Sequence, residues 1–323
     1  MEENLKIKPM DVKLLAYLYY DSRAPLTKIA KELHLSREQV EYRIKKFEEN
    51  GVIRGNIPIV NYSRLGYHHT VIFLVKFNRF SKVEDFKKNY MKDKLRILSV
   101  ELLGKYDLGM IFIFKNEQER NEHIFGILQD SVEIVDYNIV EPFMTELYPL
   151  KFLGDKKFKS HLTMDYKKEP IKLDEKDIKL LKVLRKDAKA RVIDIAHEVG
   201  ISAELVVYKL KRLKEGGVWL GARAYFDMDK LGFFYTLLFL NFTNFSSKIQ
   251  SKLRSFVSSS KHTETLSFML GRPNAYLQLF HKDEEGLRET IRDLKELMKE
   301  ESFSIDVIPL KNEGEDINVI PFL

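Results

Sequence analysis

Hydrophobic residues near the start of the chain recur every three or four positions, which is the spacing of helices with one buried face. Met10–Tyr20 has this spacing and predicts a first helix. Pro25, whose fixed φ suits a first helical turn, opens a second helix that buries Ile29, Ala30 and Leu33. The pattern therefore predicts two short amphipathic helices in succession.

A third helix follows after a short turn. Ser36 and Gln39 have the spacing of a capping box, in which each side chain reaches the other residue's free backbone N–H. The helix ends at Gly51, a typical C-terminal cap, and residues 52–60 then look extended, as a wing and exit strand would. The order helix, helix, turn, capped helix and strand predicts a winged helix-turn-helix unit.

The pattern then changes to apolar, β-rich segments that alternate with two amphipathic helices. This order, β-α-β-β-α-β, is that of the split βαβ sandwich. The predicted elements are Thr70–Phe77, Lys82–Tyr90, Leu95–Leu103, Leu108–Phe114, Gln118–Leu128 and Val132–Val140.

The whole arrangement occurs twice, because residues 11–66 realign without a gap on residues 177–232, at a constant offset of 166. A repeat this long is a duplicated multi-element module and not a solenoid unit. The second set of strands and helices is predicted at Tyr235–Phe242, Lys248–Ser258, Glu264–Leu270, Ala275–Phe280, Glu285–Lys299 and Phe303–Leu310. The fold class expected is α+β, with helix-turn-helix units at 1–66 and 172–232, βαββαβ domains at 67–150 and 233–323, and a basic connector at 151–171.

Composition narrows the class of protein. The 323 residues include no Cys, which excludes disulfides and thiolate zinc sites and fits a reducing cytosol. The polar N-terminus lacks an apolar signal core, and residues 233–242 are too short an apolar run to span a bilayer, so we expect a cytoplasmic protein without membrane contact. The net charge of +6 is concentrated in the two helix-turn-helix units and the connector.

The third helix of each unit presents a cationic side. With 100° per residue and Val40 at the centre of the buried face, Tyr42 and Lys45 point outward, as do the equivalent Tyr208 and Lys211. Such a helix fits a major groove, where Lys and Arg contact phosphates or guanine edges. The predicted DNA-binding residues are Ser36, Arg37, Gln39, Tyr42, Arg43, Lys45, Lys46, Ser202, Tyr208, Lys209, Lys211 and Arg212.

Other interpretations of these helices stay open. The faces could be solvated surfaces with Glu–Lys pairs. Leu205 and Val207 make the second helix more apolar, so that it could dock on protein instead. Arg43 lies nearer the buried side and could either brace the fold or reach a phosphate. The basic connector is either a solvated linker or a source of nonspecific backbone contacts.

These residues resemble the Lrp/AsnC family of bacterial and archaeal transcription regulators. The resemblance rests on Asp11, Leu14, Leu15, Asp21, Ala24, Ile29–Ala30, Ser36, Val40, Arg43–Ile44, Gly51–Val52–Ile53 and Leu65–Gly66, most of which recur in the second copy. It implies an effector domain of βαββαβ fold with a Gly-x-Tyr/Phe-Asp turn, which residues 104–107 match. It also implies an amino-acid effector near Gly104, Tyr106 and Asp107, whereas residues 271–274 depart from the motif.

The tandem form is itself a departure, since ordinary members of this family carry one copy. Two copies in one chain could pair as an intramolecular pseudo-dimer or build a larger homo-oligomer. Because Gln39 is matched by Leu205, and Arg37 by Ala203, we expect two non-identical half-sites on double-stranded DNA.

No motif indicates an enzyme, a cofactor or a metal. The sequence has no P-loop, dinucleotide glycine pattern or nucleophile elbow, and His68 and His69 would point to opposite faces of a strand. Two further possibilities remain: a ligand sensor or heteromeric partner without DNA binding, and an enzyme like the sirohaem decarboxylases, which resemble this family. No His/Arg/aromatic cluster near the strands resembles the active-site loop of those enzymes.

Overall fold

The computed structural model describes residues 7–151, 161–311 and 317–323. Its helices are α1 Pro9–Tyr20, α2 Leu26–Leu33, α3 Arg37–Glu49, α4 Lys82–Tyr90, α5 Glu117–Asp130, α6 Glu175–Lys186, α7 Val192–Val199, α8 Ala203–Glu215, α9 Ser247–Ser259 and α10 Glu284–Leu297. Within the described ranges no helix combines the length and apolarity needed to cross a membrane.

The strands are β1 Ile53–Val60, β2 His69–Phe77, β3 Arg96–Leu102, β4 Leu108–Phe114, β5 Ile134–Leu147, β6 Leu162–Asp165, β7 Trp219–Phe226, β8 Phe234–Phe242, β9 Thr263–Leu270, β10 Ala275–His281 and β11 Phe303–Lys311. The α+β class and the order of elements in both copies are confirmed. β5 runs seven residues beyond its predicted end at Val140. The added length pairs with β9 and β6. Residues 152–160 of the predicted connector lie outside the described residues, and β6 occupies part of its remainder.

Eight strands form a closed antiparallel barrel. Their order is β2-β4-β3-β11-β8-β10-β9-β5, and β5 pairs back with β2. Each βαββαβ domain supplies four consecutive strands of this order, and the two junctions join β3 to β11 and β5 to β9. The helices α4, α5, α9 and α10 contribute to apolar clusters with the outer faces of the strands. A separate cluster fills part of the interior. The two copies are therefore halves of one barrel.

The sequence predicts that the strand after each third helix forms the wing of its own unit. In the structure this strand pairs instead with the matching strand of the other unit. β1 and β7 form an antiparallel two-stranded ribbon in which Ile57 pairs with Arg223. These two residues are equivalent at the offset of 166, so a local pseudo-two-fold axis passes between them. The physical reason is that a lone strand has no backbone partner within its own unit, whereas its repeat offers an equivalent one.

Each helix-turn-helix unit donates a backbone hydrogen bond to the ribbon strand of the other unit. Ser22 donates its backbone N–H to Ala222 (3.0 Å), and the equivalent Ala188 donates to Asn56 (3.1 Å). The core of the first unit includes Phe226 of β7, and the core of the second includes residues of β1 and of the segment after it. Neither helix-turn-helix unit is therefore a self-contained domain, although their helices follow the predicted order.

Candidate nucleic-acid interface

The N-terminus of α3 is fixed by the predicted capping box. The Ser36 Oγ accepts the N–H of Gln39 at 3.1 Å, and the Gln39 Oε1 accepts the N–H of Ser36 at 2.9 Å. In α8 the Ser202 Oγ accepts the N–H of Leu205 at 3.2 Å, but Leu205 offers no oxygen in return. Both helices thus begin at a defined residue, and the side chain of Gln39 keeps its amide NH₂ for other partners.

The exposed face of α3 carries the residues expected there. Tyr42 is 68% exposed, and the side chain of Lys45 is 73% exposed. Arg37, Gln39 and Lys46 are exposed as well. Lys45 has an i,i+4 ion pair with Glu49 at 3.7 Å, which solvent screening makes weak enough for DNA to displace. The first unit therefore offers an aromatic hydroxyl and three accessible cations on one helix.

Arg43 lies on the other side of α3 and forms an ion pair with Asp11 of α1. The equivalent residues of the second unit form the same pair, with 2.9 Å between Lys209 Nζ and Asp177 Oδ1. Of the two roles left open for Arg43, the geometry favours the brace between the first and third helices. Asp11 also accepts the N–H of Lys8 at 2.8 Å, so one carboxylate holds both the start of α1 and the middle of α3.

Lys209 requires a correction, because it was predicted to contact DNA. Its side chain is only 4% exposed, and its Nζ donates to Asp174 Oδ2 (2.6 Å) and Asp177 Oδ1 (2.9 Å). Burial by itself would lower the pKa of Lys209, but these two hydrogen bonds raise it, so the ammonium stays charged and internal. The same contact with Lys209 lowers the pKa of Asp174 to about 2. Lys209 is therefore a brace and not a phosphate ligand.

The exposed face of α8 retains only part of the chemistry of α3. Tyr208 is 61% exposed, and the side chain of Lys211 is 72% exposed. Arg212 is half-buried and paired with Asp177. Beside these residues, Val207 is 54% exposed and Ile193 of α7 is 73% exposed. The second unit thus has two exposed cations on this helix, Lys211 and Lys214, and Val207 adds an apolar side chain beside them.

A basic residue of the other copy lies at the C-terminal end of each third helix, and at α3 it donates a hydrogen bond to the helix end. Gly51 ends α3 with φ +64, and Lys230 donates its Nζ to the carbonyl of the preceding Asn50 at 2.9 Å. The equivalent Gly217 has φ +68, and an added Cβ there would lie 3.7 Å from the Nε of Arg64, the equivalent of Lys230. A cation at this end also suits the helix dipole. The offset of 166 could have pointed to this pair of basic residues, which sequence reasoning missed.

The predicted effector turn lies away from both helix faces, between β3 and β4. Gly104 has φ +134, which a side chain would strain. Asp107 accepts hydrogen bonds from Lys76 Nζ and from the N–H of Phe77, both at 2.8 Å. Tyr106 is buried and belongs to the interior cluster of the barrel. These contacts explain the Gly, Tyr and Asp of the turn structurally, and amino-acid binding there stays a prediction.

Comparison with known proteins agrees with the two helix-turn-helix units. A family model described as winged helix-turn-helix DNA-binding matches residues 7–54 and 173–218. An uncharacterised HTH-type transcriptional regulator of Pyrococcus abyssi is 34% identical over 143 residues, which are 44% of this chain and 97% of that relative. The HTH-type transcriptional regulator LrpA of Pyrococcus horikoshii is 41% identical over 61 residues, which are 19% of this chain and 43% of LrpA. The first relative therefore corresponds in length to a single copy of the repeat.

The comparison with solved structures includes a match over almost the whole tandem arrangement. The crystal structure of the siroheme decarboxylase NirDL has a TM-score of 0.64, with 15% sequence identity, over 98% of this chain and 96% of that one. At this identity the likeness shows a shared fold alone. It shows that the fold of the whole tandem chain, with its two copies of a helix-turn-helix unit followed by a βαββαβ domain, occurs in another protein.

Proposed function

We propose that this chain, which belongs to the Lrp/AsnC family of winged helix-turn-helix transcription regulators, binds duplex DNA by presenting α3 and α8 to two half-sites from a single chain. The observation that carries the proposal is the repeated pair of an exposed Tyr and an exposed Lys, on third helices with capped N-termini whose opposite faces are buried. DNA supplies the phosphates and base edges that such faces contact.

The relation between the two units supports a pseudo-dimer. The ribbon pairs Ile57 with its own equivalent, Arg223, and each unit packs on the ribbon strand of the other. Symmetric dimers of helix-turn-helix proteins bind half-sites related by a two-fold axis, and here that relation is built into one chain. Because the two reading faces differ in charge and polarity, we expect an operator with two unequal half-sites.

The direct test is selection of duplexes from a random library by the purified chain, followed by affinity measurements on the selected sequence over a series of salt concentrations. We expect enrichment of a bipartite motif and a steep decrease of affinity with salt, since neutralised phosphates release counterions. Lys45→Ala/Lys46→Ala should weaken binding and flatten the salt dependence. Absence of any enriched duplex, with the chain folded, would favour the ligand sensor or heteromeric partner over the DNA-binding regulator.

A charge-matched control distinguishes a specific contribution of the α3 lysines from an effect of net charge on DNA affinity. Lys295→Ala/Lys299→Ala removes the same two charges from exposed positions in and just after α10, on the barrel. This control should leave the affinity for the selected duplex nearly unchanged. If both double variants weaken binding equally, net charge and not the α3 face accounts for the affinity. The likeness to NirDL is one of fold, and a shared fold by itself does not carry decarboxylase activity over to this chain.

A further inference from the structure

The barrel has an interior space of its own. A cavity of about 220 Å³ is lined by inner faces of its strands and covered on one side by residues of the ribbon, among them Ile57, Ile59 and Arg223. We call this cavity the lumen. Eight-stranded barrels have an interior that side chains just fill or that holds one small ligand. The lumen lies between the two copies, so neither half of the chain could form it alone.

Most of the lumen wall is apolar. Alternation along the strands separates the inward residues from those that face the outer helices: Ile72 and Leu74 line the lumen, whereas Val71, Phe73 and Val75 belong to the cluster beneath α4 and α5. Apolar side chains of other strands complete the wall, including Val100, Ile111, Leu237 and Phe239.

A glycine helps to keep this space open. Gly109 of β4 lines the lumen, and a Cβ added there would meet Leu74, Val100 and Leu102 at 3.4–3.5 Å. Those are ordinary contact distances, so a methyl group would fit but would occupy part of the cavity. The missing side chain at Gly109 thus adds to the volume between these three residues.

One part of the wall is polar. Thr70 is 4% exposed, and its buried Oγ1 has no well-formed hydrogen bond to the described residues, although the hydroxyl of Tyr166 lies close enough to interact with it. Near it along the lining, the hydroxyl of Tyr166 donates to Thr145 Oγ1 at 3.2 Å, and the hydroxyl of Tyr62 donates to the carbonyl of Val319 at 2.9 Å. A buried hydroxyl without a well-formed hydrogen bond costs up to about 1–3 kcal/mol, part of which a ligand or water that bonds to it would offset. Thr70 is therefore the group on which a polar ligand atom would be fixed.

Charge complementarity limits the ligand. Arg223 is the charged residue among the lining side chains, and its Nη1 already donates to the hydroxyl of Tyr19 at 2.6 Å and lies 3.3 Å from Glu264 Oε1. A free amino acid would bring two further charges into this space, and a charge moved out of water without a partner is costly. The lumen therefore suits an uncharged molecule.

We propose that the lumen binds a small neutral molecule that is largely apolar and carries one hydroxyl or carbonyl group, which bonds to Thr70. An engineered apolar cavity of about 150 Å³ binds benzene, so a space of about 220 Å³ suits roughly six to ten non-hydrogen atoms. This site goes beyond the proposed DNA binding and does not depend on it. It is distinct from the turn at residues 104–107, where the family resemblance places an amino-acid effector.

Calorimetric titration of the full chain with phenol, benzene and leucine tests the proposal. Phenol should bind more tightly than benzene, and leucine should give no heat that phenol can compete away. Thr70→Val keeps the shape of the side chain and removes the hydroxyl. It should weaken phenol about threefold to tenfold, the worth of one neutral hydrogen bond, and leave benzene unchanged.

Two variants test the location of the site. Val100→Phe should fill the lumen and abolish binding of both aromatic probes, and Gly109→Ala, which is milder, should weaken both if Val100→Phe does not fold. The proposal is overturned if the wild type binds neither phenol nor benzene, or if phenol binds unchanged when either filling variant is folded. An unchanged preference for phenol in Thr70→Val would overturn the role of Thr70. Competition between leucine and phenol would overturn the neutral ligand class. None of these outcomes bears on DNA binding, which is measured separately.

Discussion

The two helix-turn-helix units share a scaffold but differ in how their cations are used. In the first unit, Lys45 and Lys46 face solvent, and Arg43 alone is drawn inward by Asp11. In the second, both Lys209 and Arg212 pair with one buried carboxylate, Asp177. Arg43 and its equivalent Lys209 are thus both in internal ion pairs, whereas Lys46 faces solvent and its equivalent Arg212 is paired with Asp177.

This difference indicates that the two helix-turn-helix units contribute unequally to DNA binding and to stability. In the second unit Lys209 and Arg212 hold α8 to α6. Its exposed side carries Ile193 and Val207, where the first unit has Thr27 and Glu41. We therefore expect the first unit to supply most of the electrostatic affinity for DNA, and the second to be the more strongly braced. The predictions that follow test this asymmetry, starting with the largest expected effect.

The largest difference is expected between the ion pairs of Asp177 and Asp11, in how much each contributes to the free energy of unfolding. Asp177 is fully buried and pairs with Lys209, itself 4% exposed, so Asp177→Ala leaves the buried ammonium with Asp174 alone and should lower the free energy of unfolding by about 3 kcal/mol. Asp11→Ala should cost about 1–2 kcal/mol, since the side chain of Arg43 is 26% exposed and can reach water. Urea unfolding followed by far-UV circular dichroism measures both.

A double variant provides the control for this brace. Asp177→Ala combined with Lys209→Met removes the buried charge together with its partner, and should recover part of the lost stability. Fluorescence of Trp219, which is buried in the core of the second unit, reports the same transition locally. Equal losses for Asp177→Ala and Asp11→Ala would show that burial of the carboxylate does not distinguish the two units.

The second largest difference is expected in how much the exposed faces of α3 and α8 contribute to DNA affinity. Lys45→Ala/Lys46→Ala removes two solvent-facing cations and should lower affinity about 10-fold to 100-fold at 100 mM salt, with the log–log salt slope reduced by about two. Lys211→Ala/Arg212→Ala should reduce the slope by about one, because Arg212 is already paired with Asp177. Fluorescence anisotropy on the selected duplex at several salt concentrations measures both slopes. A larger effect in the second unit would contradict the expectation that the first unit supplies most of the electrostatic affinity for DNA.

Part of this asymmetry could be anticipated from the sequence. The capping spacing of Ser36 and Gln39 depends on neighbours three residues apart, and the structure has both of its hydrogen bonds. The helical wheel also placed Tyr42 and Lys45 outward correctly. Lys209 could have been excluded as well, since it is equivalent to Arg43, which the wheel put near the buried side.

Other features depend on contacts that no local pattern encodes. The residues of β1 predict an extended strand, but nothing in their order says that the partner is β7 of the other copy. The lumen exists only because β3 joins β11 and β5 joins β9, far apart along the chain. The poorly bonded hydroxyl of Thr70 follows from that closure, since the same strand considered alone would show only an inward Thr among apolar residues.

A smaller effect is expected where Gln39 is matched by Leu205. Gln39→Leu removes an amide that can donate to a base or phosphate, and it also breaks one half of the capping box. We expect altered base preference in one half-site only, with an affinity loss of about 1 kcal/mol. Repeating the duplex selection with Gln39→Leu and with Leu205→Gln measures this. Changes in both half-sites from a single variant would mean that α3 and α8 do not read separate halves.

The smallest expected effect is a loss of stability of the second unit at acidic pH. Asp174 caps α6 and contacts Lys209, which lowers its pKa from 3.8 to about 2, whereas the equivalent position in the first unit is Lys8. A carboxylate whose pKa is lower in the folded state contributes stability above its unfolded pKa, and loses that contribution as pH falls through the folded value. The second unit should therefore lose stability between pH 4 and pH 2 through a group that the first unit lacks. Asp174→Asn should flatten the decrease in urea midpoint over this range, and Asp136→Asn, at an exposed position on β5, should not. A decrease of the same steepness in wild type and Asp174→Asn would remove Asp174 from the acid sensitivity, and would leave the buried Asp177 to account for the stronger brace of the second unit.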